Sequence, residues 1–147
     1  MIALACDHGG YDLKCKVTAY FEEKGIAYKD FGSFGKGSCD YPDFARPAAE
    51  AVANGECEMG VVICTTGIGV SIVANKVKGI RCALCSDLLS ARLTREHNNA
   101  NVLAMGAGII GPDLALNILD TFLNTPFSGA ERHARRVDKI ESDVTYC

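Results

Sequence analysis

Absences narrow this chain before any motif does. There is no surplus of positive charge: 15 Lys and Arg stand against 18 Asp and Glu, a formal net charge of −3. Phosphate polymers are held mainly by clustered Lys and Arg, so neither a general nucleic-acid binder nor a membrane-surface binder is expected. No apolar stretch approaches a membrane span, and the charge at Asp7 comes too early for a secretory leader, which points to a cytoplasmic protein. No internal repeat, low-complexity segment or linker interrupts the 147 residues. That length fits one domain over residues 1–147 and is too short for separate cofactor and substrate domains.

Metal-ligand spacing is absent too. Of the eight cysteines, Cys6, Cys15, Cys39, Cys57 and Cys147 have no partner at a ligand interval. Cys82 and Cys85 form a C-x-x-C, but inside the strand-like run Ile80 to Cys85, where alternation puts the two sulfurs on opposite faces. Without signs of secretion the cysteines read as reduced thiols, and no metal is expected.

What is present is an alternation of strand-like and helix-like segments. Apolar runs begin near Met1, Ala27, Gly60, Ile80 and Val102, with helical patterns between them, the signature of a parallel sheet covered on both faces. Leu13, Val17, Tyr20 and Phe21 recur at helical spacing up to Gly25, and Leu114, Ile118, Leu119 and Phe122 do so between Pro112 and Pro126. A polar helix is predicted over residues 130–143. The longest irregular stretch, Gly32 to Asp43, reads as a functional loop.

Ligands of open α/β sheets bind at the carboxyl ends of strands. Cys6-Asp7-His8-Gly9-Gly10, Cys64-Thr65-Thr66-Gly67, Cys85-Ser86-Asp87 and Met105-Gly106 all fall there. At Cys64 an apolar strand passes through a cysteine into Gly67-Ile68-Gly69 and then, from Ser71 to Lys76, helix-like chemistry. A cysteine there feels the partial positive charge of the helix N-terminus, which favours the thiolate, and the amides after Thr66 form an anion cradle. Such a pair suits nucleophilic attack or proton abstraction beside a carbonyl; simple core packing of a small residue is the competing reading. Asp7 reads as a helix cap or a functional acid, and His8 as an anion ligand. His97, followed by Asn98 and Asn99, reads as an acid–base group or a surface histidine; Arg95 and Glu96 fit a solvated helix end. Arg132 and Arg136, four apart on one helix face, suit a phosphate or are solvated beside Glu131 and Asp138. A dinucleotide site is disfavoured, because Ile72 stands where the Gly-x-Gly fingerprint needs Gly or Ala, although Asp87 sits at a suitable distance; there is no Walker lysine either.

Together, Ala5-Cys6-Asp7-His8-Gly9-Gly10, Asp40-Tyr41-Pro42-Asp43, Cys64 to Gly69, Ala74-Asn75-Lys76, Arg95 to Asn101 and Arg132-His133 resemble ribose-5-phosphate isomerases of type B along essentially the whole chain. The related galactose-6-phosphate isomerase subunits share the Gly-rich turn but typically lack the His-Asn pair and the terminal Arg-His. The resemblance implies a three-layer Rossmann-like α/β fold with a five-stranded parallel sheet and a C-terminal helix in dimer contacts. It implies a homodimer, with a tetramer left open, whose active sites lie at the subunit interface. The implied reaction needs no metal or cofactor and interconverts ribose 5-phosphate and ribulose 5-phosphate. By the same resemblance Cys64 is the base moving a proton between C2 and C1. Thr66 and the amides of Gly67, Ile68, Gly69, Val70 and Ser71 hold the enediolate, and Asp7 handles hydroxyl protons. His97, with Asn98, assists ring opening from either subunit; Tyr41 lines the sugar site; His8, Arg132 and Arg136 grip the phosphate. Two positions depart from the family pattern: Thr65 replaces the usual Gly, and Gly108 stands where many members have an arginine, for which Arg135 is a candidate replacement although its helix face points away from Arg132. These departures keep six-carbon substrates such as allose 6-phosphate or galactose 6-phosphate as alternatives, beside a non-catalytic sugar-phosphate-binding module.

Overall fold

The computed structural model describes residues 1–142, so Cys147 and the last residue of the predicted 130–143 helix lie outside the described residues. Five parallel strands, β1 (Ile2–Cys6), β2 (Tyr28–Asp30), β3 (Met59–Cys64), β4 (Cys82–Leu84) and β5 (Val102–Gly106), form one sheet in the order β2-β1-β3-β5-β4. All five expected strands are present. Among the described residues six helices accompany them: α1 (Tyr11–Lys24), α2 (Pro42–Ala53), α3 (Ile68–Asn75), α4 (Leu88–Asn98), α5 (Pro112–Asn124) and α6 (Glu131–Glu141). A short 3-10 turn, His8–Gly10, leads into α1.

The central strands are apolar and almost wholly buried, as strands covered on both faces must be. One core contains Leu4, Cys6, Val61, Ile63, Leu103 and Met105 against Val17 and Phe21 of α1 and Ile118, Leu119 and Phe122 of α5. The other contains Ala3, Ala5, Val62, Cys64 and Ala104 against α2 and α3. There α2 presents Ala45, Ala48, Ala49 and Ala51, whose small side chains permit close approach to the sheet, while Pro47 faces solvent. Cys82 packs against this second core and Cys85 belongs to the first, so the C-x-x-C is split across the sheet as alternation requires.

Two boundaries differ from the sequence reading. Helix α3 begins at Ile68 and not near Ser71, because Gly67 alone makes the turn, at φ 76°. Asp43 lies in the first turn of α2, so the loop after β2 ends at Tyr41. Among the described residues no helix is long and apolar enough to cross a membrane.

Candidate active site

At the end of β3 the backbone turns so tightly that the amide of Gly67 donates to Cys64 Sγ at 3.1 Å. The positive φ of Gly67 makes this possible, and the side chain it lacks leaves room for Leu84 and the backbone of β5. Cys64 is 5% exposed, at the mouth of the strand. The next amide, of Ile68, donates to Thr66 Oγ1 at 3.2 Å, and that of Ser71 to the carbonyl of Gly67 at 3.2 Å. Among the described residues the amides of Gly69 and Val70, in the first turn of α3, find no acceptor. Of the five amides from Gly67 to Ser71, one holds the sulfur, two are paired within the turn, and two are left without an acceptor among the described residues.

Gly69 lies inside the helix and not in the turn. Its role is steric, since a Cβ there would sit 2.7 Å from the Tyr41 ring, which closes over α3 from the start of α2. The Tyr41 ring thus lies against Gly69 in the first turn of α3.

Beside β3, the end of β1 supplies Asp7 and His8. Asp7 is buried and caps the 3-10 turn, its Oδ1 accepting the Gly10 amide at 3.0 Å. His8 is exposed, and its Nδ1 accepts the Cys39 amide at 3.3 Å, which leaves Nε2 as the protonated, outward-facing nitrogen. Cys39, given no role on spacing grounds, therefore orients His8. Only folding brings the loop after β2 to it, so no sequence interval could signal the contact.

The two departures from the family pattern meet each other. A Cβ on Gly108 would lie 3.0 Å from Thr65 Cγ2, and Thr65 Oγ1 presses against Gly9. The Gly108 amide donates to the Thr65 carbonyl at 2.8 Å. The Thr65 side chain takes up room beside Gly108, so the missing arginine does not simply leave a wider pocket.

His97, Asn98, Arg132 and Arg136 are not at this rim. Helix α4 starts after β4 and runs back, about 16 Å for its eleven residues, to deliver its C-terminus to the amino end of β5. There the His97 ring packs on His133 of α6, with centroids 4.3 Å apart. Exposed Arg132 and Arg136 flank His133, a turn apart. Arg81 ties this end down by donating to the carbonyls of Asn98 and Asn99. Arg95 is no solvated residue: it is buried, lies over Phe122 and donates to the carbonyls of Thr125 and Ala100. Unpaired carbonyls at the end of a helix attract such cations. The expected site residues thus fall into two groups at opposite edges of one chain, Cys64, Thr66, Asp7, His8 and Tyr41 at the first and His97, Asn98, Arg132 and Arg136 at the second.

Asp87 does not await a ribose. Its carboxylate caps α4, accepting the amide and hydroxyl of Ser90, each at 2.7 Å, and these bonds hold its carboxyl below the usual range.

The family model for ribose/galactose isomerases matches residues 2–140. The chain belongs to that family. It is 52% identical to a putative sugar phosphate isomerase of Bacillus subtilis over 140 residues, 95% of this chain and 93% of that protein. To ribose-5-phosphate isomerase B of Escherichia coli it is 45% identical, over 95% of this chain and 93% of the other. The solved structure of ribose-5-phosphate isomerase B from Clostridium thermocellum superposes with a TM-score of 0.93 at 52% identity, covering 95% of this chain and 94% of that one.

Proposed function

We propose that this isomerase interconverts ribose 5-phosphate and ribulose 5-phosphate, with Cys64 as the base. The supporting observation is the Gly67 amide on Cys64 Sγ beside two amides without acceptors. A thiolate accepts such a hydrogen bond far better than a thiol, and the two open N–H groups lie where negative charge develops on the sugar oxygens. Cys64 takes the proton from C2, the electron pair forms the enediolate, and the same sulfur returns the proton to C1. Thr66, with its Oγ1 on the Ile68 amide, and Ser71, with its Oγ on the Ile68 carbonyl, brace the turn. Asp7 serves the hydroxyl protons, His8 and the two arginines take the phosphate, and Tyr41 covers the sugar.

The division of the residues between two edges supports a homodimer with shared sites. Around the Cys64 rim, Ile68, Ile72, Leu84, Leu88 and Leu89 are exposed, Ile72 by 55% and Leu89 by 57%. So much aliphatic surface beside a polar site suits a protein partner, and a second copy would bring its α4 and α6 ends, with His97, Asn98, Arg132 and Arg136, to the site. His97 of the partner subunit then assists opening of the furanose. Binding the phosphate far from the reacting carbons supplies positioning energy that a small sugar lacks.

A coupled assay with ribose 5-phosphate and allose 6-phosphate tests the substrate. Faster turnover of the pentose is expected, because Thr65 occupies room beside Gly108. Equal or faster turnover of the hexose overturns the ribose assignment, and tight binding of both without turnover overturns catalysis.

A further inference from the structure

The His97 ring has no hydrogen bond to any described residue, so both its nitrogens are available for proton transfer. What fixes the ring is its face, packed on His133 at 4.3 Å between centroids and 38° between planes. His133 is itself clamped. It is buried on α6, and its Nδ1 lies 2.8 Å from Ser128 Oγ. In a neutral imidazole Nδ1 either accepts from the Ser128 hydroxyl or donates to it, and either tautomer makes this bond. Ser128 is held in turn, its amide donating to the Glu96 carbonyl on α4 at 3.1 Å and its Oγ accepting the Ala130 amide at 3.3 Å.

We propose that His133 is a positioning residue for His97: its clamped ring holds the end of α4 so that the His97 nitrogens point at the sugar ring during opening. This deepens the isomerase reading and rests on it. Burial, with His97, Arg132 and Arg136 nearby, lowers the His133 pKa, which favours its neutral ring. Since Arg132 and Arg136 flank the same residue on α6, the groups for phosphate and for ring opening move as one unit.

In ring opening the O1 hydroxyl proton leaves to water, the oxygen lone pair forms C1=O1, and the C1–O4 bond pair passes to O4. O4 takes a proton from His97, which water reprotonates. Ribulose 5-phosphate cannot form this ring, because its 5-hydroxyl carries the phosphate. Exchange of its C1 proton in D2O, followed by NMR, therefore reports enolisation alone, whereas conversion of ribose 5-phosphate also needs the opening step.

His133→Ala in the full chain is expected to lower kcat for ribose 5-phosphate by about 10- to 100-fold, the range for a misplaced acid–base group, with KM and the C1 exchange rate within about twofold of wild type. Ser128→Ala, an exposed and milder change that keeps the fold testable, is expected to lower kcat by about threefold with exchange unchanged. Wild-type kcat in both variants, or conversion and exchange falling in parallel, overturns the positioning role. A wild-type protein that neither converts ribose 5-phosphate nor exchanges the C1 proton overturns the isomerase reading beneath it.

Discussion

Strands β1 and β3 lie side by side with Cys6 opposite Ile63, so the residues just beyond, Asp7 and Cys64, occupy equivalent places at the rim. Each accepts the amide three residues on, Asp7 from Gly10 at 3.0 Å and Cys64 from Gly67 at 3.1 Å. A carboxylate is the ordinary occupant of such a capping position; at β3 a sulfur has replaced it. Cys6, one residue earlier, faces the opposite core. Its Sγ lies 3.9 Å from the Ser33 carbonyl, and burial, only partly offset by Lys14 and Ser33, pushes its thiol up to about 11. Two cysteines on neighbouring strands thus differ because one residue of offset decides which core a sulfur faces and whether it sits at the helix turn.

The largest expected effect comes from removing the capping sulfur. Cys64→Ala should lower kcat by about a thousandfold or more, as loss of an acid–base group does, with ribose 5-phosphate affinity by calorimetry within about threefold. Cys6→Ala, the matched control, should leave kcat unchanged. At the far edge, Arg132→Ala should raise KM about tenfold with little change in kcat, the mark of a lost charged contact to phosphate. Timed iodoacetamide labelling read by mass spectrometry should modify Cys64 ahead of Cys6, Cys82 and Cys85, whose thiols are all pushed up by burial, and substrate should protect it. Uniform labelling without protection would erase the contrast between the two strand ends.

Smaller effects concern stability. Asp7→Ala removes a cap and should cost about 1 kcal/mol by urea unfolding. Cys6 has a pKa raised in the folded state, from 9.0 to about 11, so its contribution is complete below pH 9 and is lost as pH rises toward 11. Cys6→Ala should accordingly flatten the decline in unfolding free energy over that window.

The strands were legible because residues buried on both faces leave uninterrupted apolar runs, such as Val61-Val62-Ile63. The carboxyl-rim residues were legible because strand ends punctuate such runs with Gly and Asp. Helix α2 was harder to place, since Pro47 interrupts its pattern and its core face is mostly alanine. The N-terminal bound of α3 was hidden by Gly69, a residue that reads as a turn but serves the packing of Tyr41. Arg95 looked solvated because sequence does not show that the carbonyls of Ala100 and Thr125 converge on it. The separation of His97 from Cys64 follows from parallel topology: a helix after a strand returns to the opposite edge, so its C-terminal residues cannot share a rim with the strand ends of the same chain.

Exchange of the C1 proton of ribulose 5-phosphate in D2O, wild type against Cys64→Ala, isolates the step assigned to the sulfur. Exchange by the wild type and its loss in the variant, with the sugar phosphate still bound, is the expected result. Exchange that persists without the sulfur would contradict Cys64 as the base.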